Sequence, residues 1–545
     1  MSTNKEWLPH IINSLPEKHR GYALSSYAMV LEAWRRGIDV TYLYRNQRKS
    51  ELFYRLTYKG KEHLFQVAKG DFVTKEAVSI CKDKQKAKEH LLKAKVPTPI
   101  GNIFEENEKN SAIIKQAKKI KYPVVIKPYN GTGGKGVIAN IKNKNELIDA
   151  LKYVREDLNL KKVILEKHVA GEDYRVYVID NQVIGAIKRI PANIYTDGVN
   201  TVRELIKLKN VERSKNPSLV GRNIKIDKET KNMLKEQNLT LDSVPKKGEQ
   251  IFLKSKNNVS AGGDSIDVTD SLTKEVKNVA IKANKAIPNL VHSGVDLMVD
   301  EKANKAYVIE INSRPHITAQ LFPMQGKARD IPKAIIDYYF PETKKIAYKP
   351  YLNFNFETIW QDFRTGRKKK YTLPSHPTGE LAITRFLVEG NINDDVFVKD
   401  IENMANRLSL HGYLKVLDSN RIAIIITGNI KEVQQFTKSL NSDLKEKYQL
   451  ENIIEKKRKS AVMMGFEVIK DGFNPTDIEG YHPVRFENMT KLYNKTAQRN
   501  LNRKKSNQKV RQKDSNKSSS NKKANSRTWK IAKPVRILGK IIRNR

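Results

Sequence analysis

The sequence predicts an α/β protein of the α+β kind, with several domains in series. Three observations predict it. Short β-branched or alternating runs are interleaved with stretches of helical period up to about residue 345. A strand, helix, strand, strand, helix, strand order follows between 378 and 470, the ferredoxin-like arrangement. Beyond 491 the apolar periodicity gives way to a polar, basic stretch. The expected divisions are a small N-terminal α/β domain (1–79), a larger α/β domain (80–345), a linker (346–377), the ferredoxin-like domain (378–470), a second linker (471–490) and a basic tail (491–545).

Composition narrows the setting. A chain of 545 residues is long enough for three or four domains. The formal net charge of +42 calls for an anionic partner or surface. Cys81 is the one cysteine, which excludes an intramolecular disulfide and a cysteine-based metal site and fits a reducing compartment. No apolar run approaches the roughly 20 residues of a membrane span, and the N-terminus lacks the order of a signal peptide. The expectation is a cytoplasmic protein, with peripheral attachment to the inner membrane surface as a variant.

In chain order, Tyr22 to Trp34 has helical spacing, Ile38 to Tyr44 alternates like a strand, and Leu64, Phe65 and Val67 suggest another strand. Ser79 onward reads as a helix that stops before Val96, because Pro97 and Pro99 cannot continue it; Asp83 and Lys84 lie in its first turn. A helix is expected from about Ala112 to Lys119. The next stretch, YPVVIKPYNGTGGKGV, is a β-branched strand ending at Lys127, then Gly131, Gly133, Gly134 and Gly136 with Lys135 among them. Such a loop can turn its N–H groups toward a polyanion, because no Cβ blocks the approach; phosphate is the obvious guest.

After a helix from about Lys144 to Glu156, Lys162 to Lys188 reads as three strands. A strand leading into a linker at LEKHV suits a purine edge, with Glu166 taking the exocyclic amine, and Asp173 could accept ribose hydroxyls. Residues 189–270 look irregular, with a glycine-centred loop at KNNVSAGGDSIDVTD, and Thr273 to Ile287 is an amphipathic helix capped from Thr269 to Ser271. Gly294 to Pro315 reads as a hairpin. Strict alternation puts Ala306, Val308, Glu310 and Asn312 on one face, with Asp296 beside Glu310 to within one residue of register. Two carboxylates and an amide oxygen suit Mg²⁺.

VVIKPYNGTGGKGV, LEKHVAGEDYRVYVI, GVDLMV and VIEINSRP, in this order and spacing, resemble the successive motifs of the ATP-grasp fold. The resemblance is nearer to the ATP-grasp domain of bifunctional glutathione synthetases, then to cyanophycin synthetase, and covers roughly Ile80 to Glu342, including DGVNTVRELI, LTLDSVPKKGE and FPMQGKARDIP. It implies that ATP is the nucleotide. Lys84 and Lys127 would touch its phosphates under the GTGGKG loop, Glu166, His168 and Val169 would hold adenine, and Asp173 would hold the ribose. Asp296, Glu310 and Asn312 would hold two Mg²⁺ ions, with Mn²⁺ as the alternative. Arg175, Lys188 and Arg189 would face the phosphoryl group and the acyl substrate, with Arg314 and the SAGGDS loop close to the substrates. The implied activity is ATP-dependent carboxylate–amine ligation through an acyl phosphate, on an amino acid or peptide. One departure bears on the substrate: Lys254 stands where the glutathione-type domain usually has arginine, and Ala261 where it has threonine; lysine loses the bidentate fork.

The ferredoxin-like stretch resembles acylphosphatase, but Lys399 and Val416 occupy the positions of that family's arginine and asparagine. A binding or assembly module is therefore expected. In the tail, Val535, Leu538, Ile541 and Ile542 fall at helical spacing among basic residues after Trp529, which suits an anionic membrane surface or an anionic polymer. Nucleic acid rests on charge alone, since no interleaved aromatic platform accompanies the tail. Homo-oligomerisation stays open. The alternative to a ligase is an ATP-binding scaffold anchored through this tail.

Overall fold

The computed structural model describes residues 5–16, 21, 23–46, 51–131, 135–390, 392, 395–458 and 460–469. Gly133, Gly134 and the whole tail, including its terminal apolar segment, lie outside the described residues. Among the described residues, no helix is long and apolar enough to cross a membrane.

The N-terminal unit is organised by the helix Leu24–Arg35, all twelve residues of which are buried. It packs on an antiparallel sheet ordered Lys370–Thr372, Asp39–Asn46, Glu51–Tyr58, Lys61–Gln66, Lys69–Gly70. The first of these strands comes from the stretch read as a linker. So does the helix Phe356–Arg364, which buries Phe356, Ile359, Trp360 and Phe363 in the same core as Tyr27 and Trp34. Residues 346–377 are thus partly structured, because their aromatic residues complete this core. At the C-terminus of the first helix, Arg36 is buried between Glu32 and Asp337, its Nη1 2.7 Å from the Asp337 carboxylate.

Two sheets then face a common cavity. The smaller is antiparallel, ordered Gly101–Phe104, Val163–Lys167, Val124–Pro128, Ile138–Ile141, and is backed by the helices Asn110–Ile120 and Lys144–Leu151. The larger is ordered Asp264–Asp267, Gln182–Ile190, Glu172–Ile179, His292–Asp300, Lys305–Asn312, with the helix Lys274–Ala286 packed on one face. That helix is capped by the Thr273 side chain, which accepts from Val276 N, a little later than expected. The expected single helix after Ser79 is two, Lys75–Lys82 and Lys84–Lys93. Asp83 takes an extended conformation between them, and its carboxylate accepts from Gln85 N and Lys86 N.

The region read as irregular is ordered. It carries the helices Val202–Ser214 and Lys228–Glu236, and the strands Asn193–Tyr195 and Gln250–Phe252 pair with one another. Thr201 and Glu204 form a reciprocal capping box at the start of the first helix.

The C-terminal domain has the expected order with one change. Its fourth strand is Asn452–Lys457, an exposed, charged edge strand that pairs with Leu381–Glu389, whereas Phe466–Ile469 adds a fifth strand parallel to His411–Val416. The charges at Glu455, Lys456 and Lys457 hide that edge strand from an apolar pattern. The domain joins the N-terminal core: Val462–Met463 pairs in parallel with Leu352–Asn353, and Leu381, Ile383 and Ile425 are buried in the cluster that contains Trp34.

Candidate active site

The cavity wall on the small sheet is set by strand alternation. Val163 and Leu165 point into the apolar core, so Ile164 and Glu166 point into the cavity, and Lys127 does the same from the adjacent strand. Glu166 is buried and bridges two ammonium groups, Lys88 Nζ at 2.9 Å and Lys127 Nζ at 2.5 Å. Burial alone would raise its pKa, but these two cations outweigh burial and hold the carboxyl below its usual range. Lys84 opens the second helix of the pair, and its Nζ donates to Pro128 O at 3.2 Å. Tyr129 Oη donates to Asp83 at 2.7 Å and ties the same turn to the strand end. Burial, then Lys127, pulls the Lys84 pKa down.

The opposite wall is the hairpin, and here the structure departs from simple alternation. Asp296 pairs with Glu310, as expected, but Leu297 pairs with Val308, so Ile309 is an unpaired extra residue. This β-bulge inverts the pleat. Ala306, Val308 and Ile311 face the apolar core, while Glu310 and Asn312 face the other way. The expected common face for Ala306, Val308, Glu310 and Asn312 is therefore wrong, and for a physical reason: without the bulge, Glu310 would follow Val308 into the core. Ile309 is left 38 % exposed against the nucleotide-sized cavity, an apolar wall that the sequence reading missed.

Lys84, Lys88, Lys127, Ile164, Glu166, Ile309 and Glu310 line a cavity of about 450 Å³. A neighbouring cavity of about 600 Å³ is lined by Lys84, Tyr129, Gly131, Lys135, Glu310, Asn312 and Arg314. The two share Cys81, Lys84, Glu310 and Ile311. Gly136 returns the loop to its strand at φ +73°, where a Cβ would stand 2.8 Å from the Pro128 ring. Cys81 is an inert thiol in this wall: burial pushes it up to about 12. His168 and Val169 follow Glu166 and are half-buried, and the His168 N–H donates to Pro123 O.

The remaining residues sort by face. Arg175 lies across the sheet from Asp296 and grips its carboxylate with Nε and Nη2, the latter at 2.8 Å. Arg189 Nε donates to Asp173 at 2.8 Å, and its Nη2 lies 3.4 Å from Asp296. Burial raises the Asp296 pKa, but Arg175 and Arg189 overcome it and hold the group ionised. Asp173 goes the other way: burial, helped by nearby Asp296, leaves its pKa raised despite Arg189. Asp173 thus sits in this arginine cluster and lines neither cavity. Lys188 is on the reverse face, across from Tyr174, and its Nζ meets Glu172 at 3.2 Å and Glu301 at 3.3 Å. It is not brought to the arginine cluster. Lys254, which replaces an expected arginine, is buried and paired with Asp227.

A divalent cation fits this wall in part. No hydrogen bond or ion pair among the described residues fixes Glu310, and the Asn312 amide nitrogen is buried without a partner, so that side chain is free to present its oxygen. Asp296 differs, because both its oxygens are taken by Arg175. Among the described residues, no group of three or more His, Cys, Asp or Glu side chains could hold a metal.

This geometry agrees with family comparisons. Residues 81–209 match the RimK-like ATP-grasp domain and residues 222–318 match an ATP-grasp domain, and the residues of both cavity walls fall largely within these two stretches. Residues 384–468 match acylphosphatase. Among particular relatives, the chain is 31% identical over 272 residues to cyanophycin synthetase of Crocosphaera subtropica, covering 49% of this chain and 31% of the relative. It is 31% identical over 335 residues to the glutathione biosynthesis bifunctional protein GshAB of Pasteurella multocida, covering 58% of this chain and 43% of the relative. The crystal structure of a bifunctional glutathione synthetase from Pasteurella multocida aligns with 27% identity and a TM-score of 0.46, over 58% of this chain and 43% of that one. The chain thus spans less than half the length of these relatives.

Proposed function

We propose that the protein is an ATP-dependent carboxylate–amine ligase that forms an amide bond through an acyl phosphate. The observation that carries this is the bulge at Ile309, which turns Glu310 and Asn312 out of the core toward the cavities that hold Lys84, Lys127 and Lys135. A carboxylate is a poor electrophile, and phosphorylation gives it a leaving group. Phosphoryl transfer asks the protein for in-line positioning and neutralisation of charge.

In this reading adenine enters the smaller cavity beside Ile309, Ile164 and Glu166, and the triphosphate runs past Lys84 and Lys127 into the larger one under Lys135. Lys84 and Lys127 repel each other across a buried wall, so a phosphate chain relieves an unfavourable charge pair. Glu310 and Asn312 would hold Mg²⁺, which when bound supplies further positive charge at the phosphates; Asp296 would join them only by leaving Arg175. Arg175 and Arg189, paired at rest with Asp296 and Asp173, would lie at the donor end and orient the carboxylate to be activated.

The test is ADP release by the full chain with ATP, Mg²⁺ and a broad panel of amino acids and short peptides taken in pairs. Release that needs both a carboxylate donor and an amine acceptor is expected. Absence of release across the panel would remove the ligase reading.

A further inference from the structure

A side chain of the N-terminal sheet reaches the rim of the larger cavity. Gln66 ends the strand Lys61–Gln66, and its Oε1 accepts from Arg314 Nη1 at 2.7 Å. Arg314 itself lines that cavity, together with Lys135, Glu310 and Asn312. It stands between buried Ser313 and buried Pro315, so its backbone is fixed, whereas its side chain is exposed and is held by Gln66. No acid pairs with Arg314 among the described residues.

The turn that carries Gln66 is locked in place. Gln66 pairs with Lys69, which leaves Val67 and Ala68 as a two-residue turn. Val67 takes φ +60°, a left-handed conformation that β-branched residues rarely adopt, and the Tyr54 hydroxyl donates to its carbonyl. Phe65 and Ala68 are fully buried, and Gly70 lies so close to the Tyr339 ring that a Cβ there would collide with it. Backbone strain of this kind persists where the surroundings over-determine it, and it clusters at functional sites. The chemistry of the acceptor matters as well. Arg175 and Arg189 are held by the carboxylates of Asp296 and Asp173, which cancel their charge. Gln66 offers an amide oxygen, which directs the guanidinium and leaves its charge whole.

We propose that Gln66 is a positioning residue: it holds Arg314 as an uncancelled positive charge over the outer end of the triphosphate, so that the N-terminal sheet takes part in telling ATP from ADP. This inference rests on the nucleotide site of the ligase reading. Lys127 lines the smaller cavity and Lys84 lines both, so they meet phosphates that ADP shares, whereas Arg314 lines the larger cavity and not the smaller. Without Gln66 the exposed Arg314 side chain would spread over many rotamers. Held by Gln66, it meets the terminal phosphate with much of that ordering already done.

The experiment measures the dissociation constants of ATP and of ADP, each with Mg²⁺, for the full chain by titration calorimetry. Gln66→Met keeps the length of the side chain and removes the acceptor. It should weaken ATP about 3- to 10-fold, as for loss of one hydrogen bond, and leave ADP within about twofold. Arg314→Gln should weaken ATP at least as much, and adding Gln66→Met to it should change nothing further, a non-additivity that a merely structural role of Gln66 would not produce. Gln66→Glu keeps the bond but cancels the charge, and it too should weaken ATP selectively. An unchanged ATP constant in Gln66→Met, equal losses for ATP and ADP, or additive effects in the double variant would overturn the proposal. ATP bound with the expected pattern but no ADP release for any donor and acceptor would remove the ligase reading and leave the role of Gln66 standing. Failure of the full chain to bind either nucleotide would remove both.

Discussion

Two strands show how differently this chain uses its sheets. In Lys305–Asn312 a single unpaired residue, Ile309, breaks the alternation and sends Glu310 and Asn312 toward a cavity, where no hydrogen bond or ion pair among the described residues holds Glu310 and the Asn312 amide nitrogen is buried without a partner. In Arg421–Asn429 of the acylphosphatase-like domain nothing is left over. Ile422, Ile424 and Ile426 fill the core under that domain's helices, and Ile425, on the reverse face, is buried in the N-terminal core. One strand stores unsatisfied polar groups, which is what a binding site needs; the other is buried on both faces, which is what a structural joint needs. The contrast teaches that matching a catalytic family does not by itself locate the chemistry. It lies where polar groups are left without partners.

The largest expected effect separates the two directly. Glu310→Gln keeps the shape and hydrogen-bonding capacity of the side chain but removes its charge, so kcat should fall about 10²- to 10³-fold with the urea midpoint unchanged. Steady-state ADP release and a denaturation curve on the same preparation check it. A variant that keeps normal turnover would take Glu310 out of the site.

The counterpart is Ile425→Val. Removing one buried methylene should cost about 0.5–1.5 kcal/mol in urea unfolding and leave turnover per folded molecule unchanged. A fall in kcat at full folding would mean that the C-terminal domain does more than hold the N-terminal unit.

Much of this arrangement was legible in the sequence. The strand before the glycine loop, the Asp296–Glu310 register and the βαββαβ order depend on local patterns that the fold keeps. What escaped was information carried by a one-residue irregularity or by distant packing. Nothing in AYVIEIN announces a bulge, because strict alternation and a bulged strand give the same string until the opposite strand is known. The helix at Val202–Ser214 did leave a signal, the T-x-x-E capping box at Thr201 and Glu204. So did the stretch taken for a linker, in which Phe356, Ile359, Trp360 and Phe363 repeat at helical spacing. Lys188 was placed by resemblance alone, and it is the one candidate that the alternation of its own strand sends to the wrong face.

A smaller effect tests the wall opposite the bulge. Lys127 and Lys88 together outweigh burial and hold the Glu166 carboxyl below its unfolded value of about 4.3. Its folded pKa is depressed, so its contribution to stability is complete above that unfolded value and is lost as pH falls through the folded one. Urea stability measured from pH 6 to pH 3 should decline through this window, and Glu166→Gln should flatten the decline. An unchanged slope would mean that the two lysines do not hold Glu166 in solution.

The smallest expected effect is none at all. If the acylphosphatase-like domain is a joint, the full chain should not accelerate hydrolysis of benzoyl phosphate above the uncatalysed rate. Val416 has no group to orient a water, and Lys399, at the position where the resemblance expects an arginine fork, spends its ammonium on Glu402 at 2.8 Å on its own helix. That expectation also makes chemical sense, because in the proposed ligase a tethered hydrolase for acyl phosphates would destroy the intermediate whenever it escaped. Measurable hydrolysis that survives Glu310→Gln would place a second active centre in the C-terminal domain. It would also show that a sheet buried on both faces can still carry chemistry in its loops.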